Sequence, residues 1–251
     1  MNLILLTNDD GVHAAGLEAL AHEMRRAGEV VIVAPERDNS AASHSLTMSR
    51  PLRVRQLAEG VFSVDGTPTD CVAIAVAKLL DRKPQIIIAG INPGANLGDD
   101  IAYSGTVAAA MEGAMLGINA MAVSQETEDA ALYRRSARVT RQMAARVLES
   151  GLPADTILNI NLPAAPPRGI LFTRQGRKTY EGAIQETFDP WKRKHYWIGG
   201  GIPSIDSRDD ADGLAVRNGY ISVTPLHFDL TNHQALHILR SSWKLEEADG
   251  G

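Results

Sequence analysis

Leu3-Ile4-Leu5-Leu6-Thr7-Asn8-Asp9-Asp10-Gly11 decides how this chain is read. A short apolar run that ends in a glycine turn reads as a buried first strand of a parallel α/β sheet. Such sheets bind ligands at the carboxyl ends of their strands. Asp9 and Asp10 therefore stand where a substrate is expected. Adjacent carboxylates repel each other unless a cation or a proton relieves them, and a divalent, oxygen-preferring metal is the simplest relief. The plain alternative is a solvated turn, for which Asn-Asp-Asp-Gly is good chemistry.

Working outward, apolar runs alternate with helical patterns. Residues 3–7, 29–34, 85–89, 120–124 and 157–161 read as strands, and 52–56 with 61–64 as a hairpin. Residues 15–26, 67–80, 105–116 and 130–149 read as helices. Thr67-Pro68-Thr69-Asp70 opens one of them with an N-cap, a proline at the first helical position and a capping-box acid. The repeated β-α order predicts a doubly wound, mostly parallel sheet within a single unit spanning 1–251.

The pattern changes after Pro163. Residues 170–174 and 220–224 read as strands, and the polar, aromatic and basic stretch 176–212 between them as a protruding arm. Its Trp191-Lys192-Arg193-Lys194-His195-Tyr196-Trp197 segment reads as a solvated hairpin or a contact between subunits, since exposed aromatics find partners, ahead of a basic patch for phosphate. A tail from about residue 228 is helical over 230–243 and ends in Glu246-Glu247-Ala248-Asp249-Gly250-Gly251.

Composition narrows the function classes. The chain has 251 residues, 44 % of them hydrophobic and 22 % charged, ordinary for a soluble globular protein. A net charge of −5 argues against a surface for nucleic-acid polymers but leaves room for small anions at a local site. The single cysteine, Cys71, excludes an internal disulfide and reads as a buried small hydrophobe. No signal peptide and no bilayer-length apolar run is present, so a cytosolic location is expected.

Three further segments can carry chemistry. The loop 36–45 also follows a strand, and its oxygens can complete a metal shell; Ser40, Ser43 and Ser45 are equally placed, and His44 is a phosphate ligand or an exposed histidine. The loop Gly90-Ile91-Asn92-Pro93-Gly94-Ala95-Asn96-Leu97-Gly98 permits close backbone approach, and Asn92 offers a neutral oxygen. It is neither a dinucleotide fingerprint nor a phosphate loop of the Walker type. The following Asp99-Asp100 reads as loop capping rather than as a second metal pair. Tyr103-Ser104-Gly105-Thr106 opens a helix whose N–H groups and hydroxyls suit phosphate, though simple N-capping explains it equally well alone. Metal on Asp9 and Asp10 with phosphate at Ser104, Gly105 and Thr106 describes phosphate-ester hydrolysis. An aspartyl-phosphate mechanism expects Asp-x-Asp rather than Asp-Asp.

These motifs occur in an order that resembles the stationary-phase survival protein SurE family. The resemblance rests on Asn8-Asp9-Asp10-Gly11, Ser40-x-x-Ser43-His44-Ser45, Gly66-Thr67-Pro68-x-Asp70-Cys71, the 90–98 loop and Tyr103-Ser104-Gly105-Thr106, with Tyr220-Ile221-Ser222-Val223-Thr224-Pro225-Leu226 extending it. It implies a metal-dependent 5′/3′-nucleotidase whose single divalent cation, Mg²⁺ or Mn²⁺, is held by Asp9, Asp10, Ser40 and Asn92. It implies that nucleoside monophosphate is bound near Ser104, Gly105 and Thr106, with Asn96 adjoining, and that some members cleave short polyphosphate. It further implies a Rossmann-like fold with an extended hairpin arm, a C-terminal segment exchanged between subunits, and a homodimer or homotetramer.

Overall fold

The computed structural model describes residues 1–199 and 201–243; the polar end of the tail, 246–251, lies outside the described residues. The opening run is strand β1 (Leu3–Thr7), buried at every position. Its side chains alternate between two cores, as a strand's must. Ile4 and Leu6 face a cluster with Leu17, Leu20 and Met24 of helix α1 (Ala15–Met24) and Ala137, Ala144 and Val147 of α4 (Ala130–Ser150). Leu5 faces the opposite cluster, with Cys71 and Val72 of α2 (Pro68–Ile74) and Val107 and Ala110 of α3 (Gly105–Met115). Each fully buried Leu or Ile contributes roughly 1.5–3 kcal/mol of transfer free energy. Cys71 is thus a packing residue, and burial pushes its thiol well above the ordinary range.

The remaining strands of the sheet are β2 (Glu29–Pro35), β3 (Val54–Ala58), β4 (Val61–Val64), β5 (Ile86–Pro93), β6 (Asn119–Gln125), β7 (Thr156–Leu162), β8 (Ile170–Phe172) and β13 (Ile221–His227). Their order is β3-β4-β2-β1-β5-β6-β7-β13-β8, parallel except for the β3–β4 and β7–β13 pairs. From β1 the chain moves to β2 and β4 on one side, then returns to β5 on the other. The order therefore switches between β1 and β5, where a parallel sheet opens a crevice at its carboxyl edge. This is the doubly wound, mostly parallel sheet expected from the β-α alternation, in the Rossmann-like form that the family resemblance implies.

Three local details depart from the pattern reading. Strand β5 does not stop at Ala89 but continues to Pro93, with a shift in its pairing to β6 between Ala89 and Asn92. Gly90 permits this: its φ is +134°, and a Cβ there would lie 2.3 Å from Val123 O. The helix expected to reach Leu80 is α-helical only to Ile74 and ends in a π-helical turn, Ala75–Leu79. The arm is not one uninterrupted hairpin. Strand β9 (Lys178–Glu181) pairs with β12 (Ile202–Ile205), and β10 (Ile184–Phe188) with β11 (Lys194–Ile198), giving two successive antiparallel ladders. The strands end at Ile205, and Asp212, expected at the arm's edge, is the buried first residue of helix α5 (Asp212–Arg217).

Helix α6 (His233–Ser242) is capped by Asn232, whose Oδ1 accepts from Ala235 N, and none of its residues is buried. No helix among the described residues is long and apolar enough to cross a membrane.

Candidate active site

Asp9 and Asp10 follow β1 at the switch between β1 and β5, and Asn92 lies in the last turn of β5. With Ser40, Asn96 and Ser104 they line one cleft of about 430 Å³. The structure thus gathers four separate sequence segments at one point.

Asp9 is nearly inaccessible, and its orientation is set from across the cleft. Its Oδ1 accepts from the Thr106 hydroxyl and its Oδ2 from Thr106 N at 3.2 Å. The first turn of α3 therefore points its N–H at an anion the chain itself supplies. Gly105 permits the approach, because a Cβ there would sit 3.0 Å from both Asp9 Cβ and Oδ2. Burial pushes the Asp9 carboxyl up and outweighs the Thr106 hydrogen bonds that pull it down.

Asp10 is half-buried, and its Oδ2 is a buried oxygen without a hydrogen-bond partner. Burial, then repulsion from Asp9 and Asp38, pushes its carboxyl up to about 7. A carboxylate so placed is costly unless a cation or proton compensates it. Asn92 Nδ2 donates to Gly94 O at 2.6 Å, which leaves Oδ1 as that amide's open acceptor among the described residues. Ser40 is exposed on its loop and held by Asp38, whose Oδ1 accepts from Ser40 N at 2.7 Å and from Ser40 Oγ at 2.6 Å. Among the described residues no group of three His, Cys, Asp or Glu is arranged to hold a metal. A cation at the aspartate pair would therefore draw on neutral oxygens, and Ser40 and Asn92 in the same cleft offer them. The donor set, all oxygen with two carboxylates, fits a hard divalent cation.

Asn96 is locked from below. Its N–H donates to Asn161 Oδ1 (2.8 Å), its carbonyl accepts from Asn159 Nδ2 (2.9 Å) and Asn161 Nδ2 (3.1 Å), and its own Nδ2 donates to Ser124 Oγ (2.8 Å). Ser104 caps α3, accepting from Val107 N at 3.1 Å, and still faces the cleft.

Three residues expected at the site are placed otherwise. Both donors of Thr106 are spent on Asp9, so this residue orients a carboxylate. Ser43 donates to Ala102 O at 2.8 Å, and neither it nor His44 lines the cleft. His44 Nε2 lies 3.0 Å from Glu112 Oε2 and lines a neighbouring, largely apolar cavity of about 440 Å³. The 40–45 loop turns through positive φ at Ala41 and Ser43, which sends its successive hydroxyls in different directions.

Other residues of the site carry no motif. Asp38, Asp100 and Glu128 line the cleft with the aspartate pair. Asp100 Oδ2 accepts from Lys178 Nζ (2.6 Å) and Tyr180 OH (2.9 Å), both from β9 of the arm. Asp99 accepts from Lys178 N at 3.1 Å and pairs with Arg177. Asp99-Asp100 therefore anchors the arm and is not a second metal pair. Asp212 completes the anchor, accepting from Gly98 N, Gly176 N and Gly213 N at 2.7–3.0 Å. A lone Asp at the end of a polar stretch signals nothing in sequence; only its three partners reveal it.

Comparisons with known proteins place the chain in a family. The family model described as Survival protein SurE matches residues 4–182. The chain is 52 % identical over 245 residues to a protein of Syntrophotalea carbinolica named 5′-nucleotidase SurE, covering 97 % of this chain and 98 % of that one. It is 50 % identical to a protein of the same name from Geobacter sulfurreducens, covering 96 % and 94 %. A crystal structure of the SurE protein from Aquifex aeolicus superposes with a TM-score of 0.84 at 39 % identity, covering 95 % of this chain and 98 % of that one. A relationship of this extent, running through the sheet, the cleft loops and the arm alike, makes the chain a member of the SurE family.

Proposed function

We propose that this chain is a divalent-metal-dependent phosphomonoesterase that hydrolyses nucleoside 5′-monophosphates, and also 3′-monophosphates, to nucleoside and phosphate. The observation that carries the reading is the Asp9–Asp10 pair at the sheet's switch point, with a buried Asp10 oxygen that no protein donor satisfies. The relatives' name, 5′-nucleotidase SurE, supports the substrate class. Asp9, Asp10, Ser40 and Asn92 would hold the cation, Mg²⁺ or Mn²⁺, one per subunit. When bound, it supplies Lewis acidity and neutralises charge at the phosphoryl group.

The chain's own residues do the rest. Thr106 holds Asp9 in a single orientation, so the carboxylate spends no reorganisation on binding. The aspartate pair orients the attacking water and takes its proton. Ser104 and Asn96 present donors to the phosphate oxygens, and the Asn159–Asn161 network keeps Asn96 from moving with the substrate. Short polyphosphate fits the same chemistry, with water attacking a terminal phosphoryl group and the shortened phosphate chain leaving in place of a nucleoside hydroxyl.

The functional unit we infer is a homodimer or homotetramer in the cytosol. Exposed Trp191, Tyr196 and Trp197 on the arm support it, as do Ile238 and Leu239 on a helix without buried residues. Exchange of the tail from about residue 228 between subunits would bury that helix.

Phosphate release from a panel of nucleoside 5′- and 3′-monophosphates and tripolyphosphate, with Mg²⁺, Mn²⁺ or EDTA, tests the reading on wild type and Asp9→Asn. Metal-dependent release that Asp9→Asn abolishes is expected. Release that persists in EDTA, or in a correctly folded Asp9→Asn variant, would overturn it.

A further inference from the structure

Ser104 borders two spaces, the polar cleft and the largely apolar cavity of about 440 Å³ beside it. The cleft is lined by the carboxylates of Asp9, Asp10, Asp38, Asp100 and Glu128, which suits a cation and a phosphate but not an aromatic ring. The cavity has the opposite character. Ala108, Met111 and Met115 line it from one face of α3, as their spacing of three and four residues requires. Leu226 and Phe228 join them from β13 and the chain just beyond it. Met111 and Phe228 pack on the same core cluster as the buried Leu226, so these walls are anchored. Methionine sulfurs and an aromatic side chain are good partners for a flat heteroaromatic ring. The volume lies within the roughly 300–1,000 Å³ of clefts that enclose small organic ligands.

One polar pair serves this apolar space. His44 lines it, and its Nε2 lies 3.0 Å from Oε2 of Glu112, whose side chain is only 13 % exposed. An ionised carboxylate can only accept, so Nε2 carries the proton. In the neutral ring Nδ1 is then an acceptor, and it has no hydrogen-bond partner among the described residues. A single oriented acceptor in an apolar wall selects a ligand that brings an N–H donor.

We propose that this cavity is the nucleoside subsite: it takes a base carrying an exocyclic amino group, whose N–H donates to His44 Nδ1, while the phosphate of the same molecule lies past Ser104 in the cleft. The subsite rests on the phosphomonoesterase reading above for the phosphate end of the ligand and adds the choice of base. His44 then contributes to substrate binding through the base and not through phosphate.

Calorimetric titration of adenosine into metal-free protein at pH 8 tests the subsite without requiring turnover. Adenosine should bind one equivalent, about fivefold more tightly than purine riboside, which lacks the amino group. His44→Ala should erase that difference. Met111→Trp should fill the cavity and weaken adenosine at least tenfold; Met115 is 55 % exposed, so Met115→Trp provides a second filling variant if the first misfolds. In the filling variants the KM for adenosine monophosphate should rise in step. No adenosine binding to wild type, binding that neither tryptophan variant weakens, or a preference for adenosine that survives in His44→Ala would overturn the proposal. So would binding lost only in Tyr103→Ala, which would put the base on the exposed ring at the cleft's rim. The two readings fail separately: adenosine binding in the expected pattern without phosphate release from any nucleotide supports the subsite and refutes the activity, and metal-dependent release without adenosine binding does the reverse.

Discussion

Replacing Asp10 by asparagine should stabilise the metal-free protein at pH 8 and leave its stability nearly unchanged at pH 4. The carboxyl is pushed from 3.8 to about 7 in the folded chain, first by burial and then by Asp9 and Asp38. A raised carboxyl binds its proton more tightly when folded than when unfolded. Stability therefore falls as pH rises from about 4 to 7, and the whole penalty is present above that window. A shift of about 3 units is worth about 4 kcal/mol at roughly 1.4 kcal/mol per unit. Asp10 retains contact with solvent, so about half of that, on the order of 2 kcal/mol, is the better expectation. For a chain of this size, that is a rise in Tm of roughly 4–8 °C. Asparagine mimics the protonated acid, so the gain should vanish at pH 4. Saturating Mg²⁺ should reverse the order at pH 8, raising wild type by linkage and leaving the variant where it was. Differential scanning calorimetry of both proteins, with chelator and with Mg²⁺, provides the measurement. A pH-independent gap, or a variant less stable than metal-free wild type at pH 8, would refute the argument that this oxygen awaits a cation.

Three other perturbations discriminate among the roles assigned above. Thr106→Val removes a hydrogen bond to a carboxylate worth about 1.5–3 kcal/mol, so metal affinity and kcat should fall while KM for a nucleoside monophosphate changes little. A raised KM with kcat intact would return Thr106 to the phosphate. Asp212→Ala strands three N–H groups, at about 1–3 kcal/mol for each left unsatisfied. Amide exchange at Gly98 should accelerate more than exchange in β1, and equal protection would show that the arm anchor does not hold this loop. Gly90→Ala drives a methyl group to 2.3 Å from Val123 O, and its Tm should drop by more than any surface substitution's. A melting point within two degrees of wild type would mean the strand shifts freely there.

Much of the fold was legible in the sequence because burial leaves a pattern. Runs such as Leu3-Ile4-Leu5-Leu6 and Gln85-Ile86-Ile87-Ile88-Ala89 can only be satisfied between two layers of helices. The Thr67–Asp70 capping box is equally local, with Asp70 N donating to Thr67 Oγ1 at 3.1 Å and Thr67 N to Asp70 Oδ2 at 2.8 Å. The sequence pattern ends β5 at Ala89, because a glycine after an apolar run reads as a loop. Here Gly90 is instead the place where two backbones meet.

The site divides along the same line. Asp9 and Asp10 declared themselves through two facts of sequence, adjacency and position after a strand, because like charges side by side are unfavourable without a reason. Their side-chain partners did not. Whether the Thr106 hydroxyl faces a substrate or Asp9, whether His44 enters the cleft or pairs with Glu112, and that Asp212 fastens the glycine loop to the arm are relations between residues 68 to 114 positions apart. Hydrogen bonds depend on direction and on separations of about 3 Å, and no residue type encodes those by itself. Periodicity and composition report how much of each segment is buried, so they determined the layers and the strand end that bears the chemistry. Which polar atoms satisfy one another is settled only when the sheet's switch brings β1, β5 and α3 to one point, and that decision belongs to the tertiary structure.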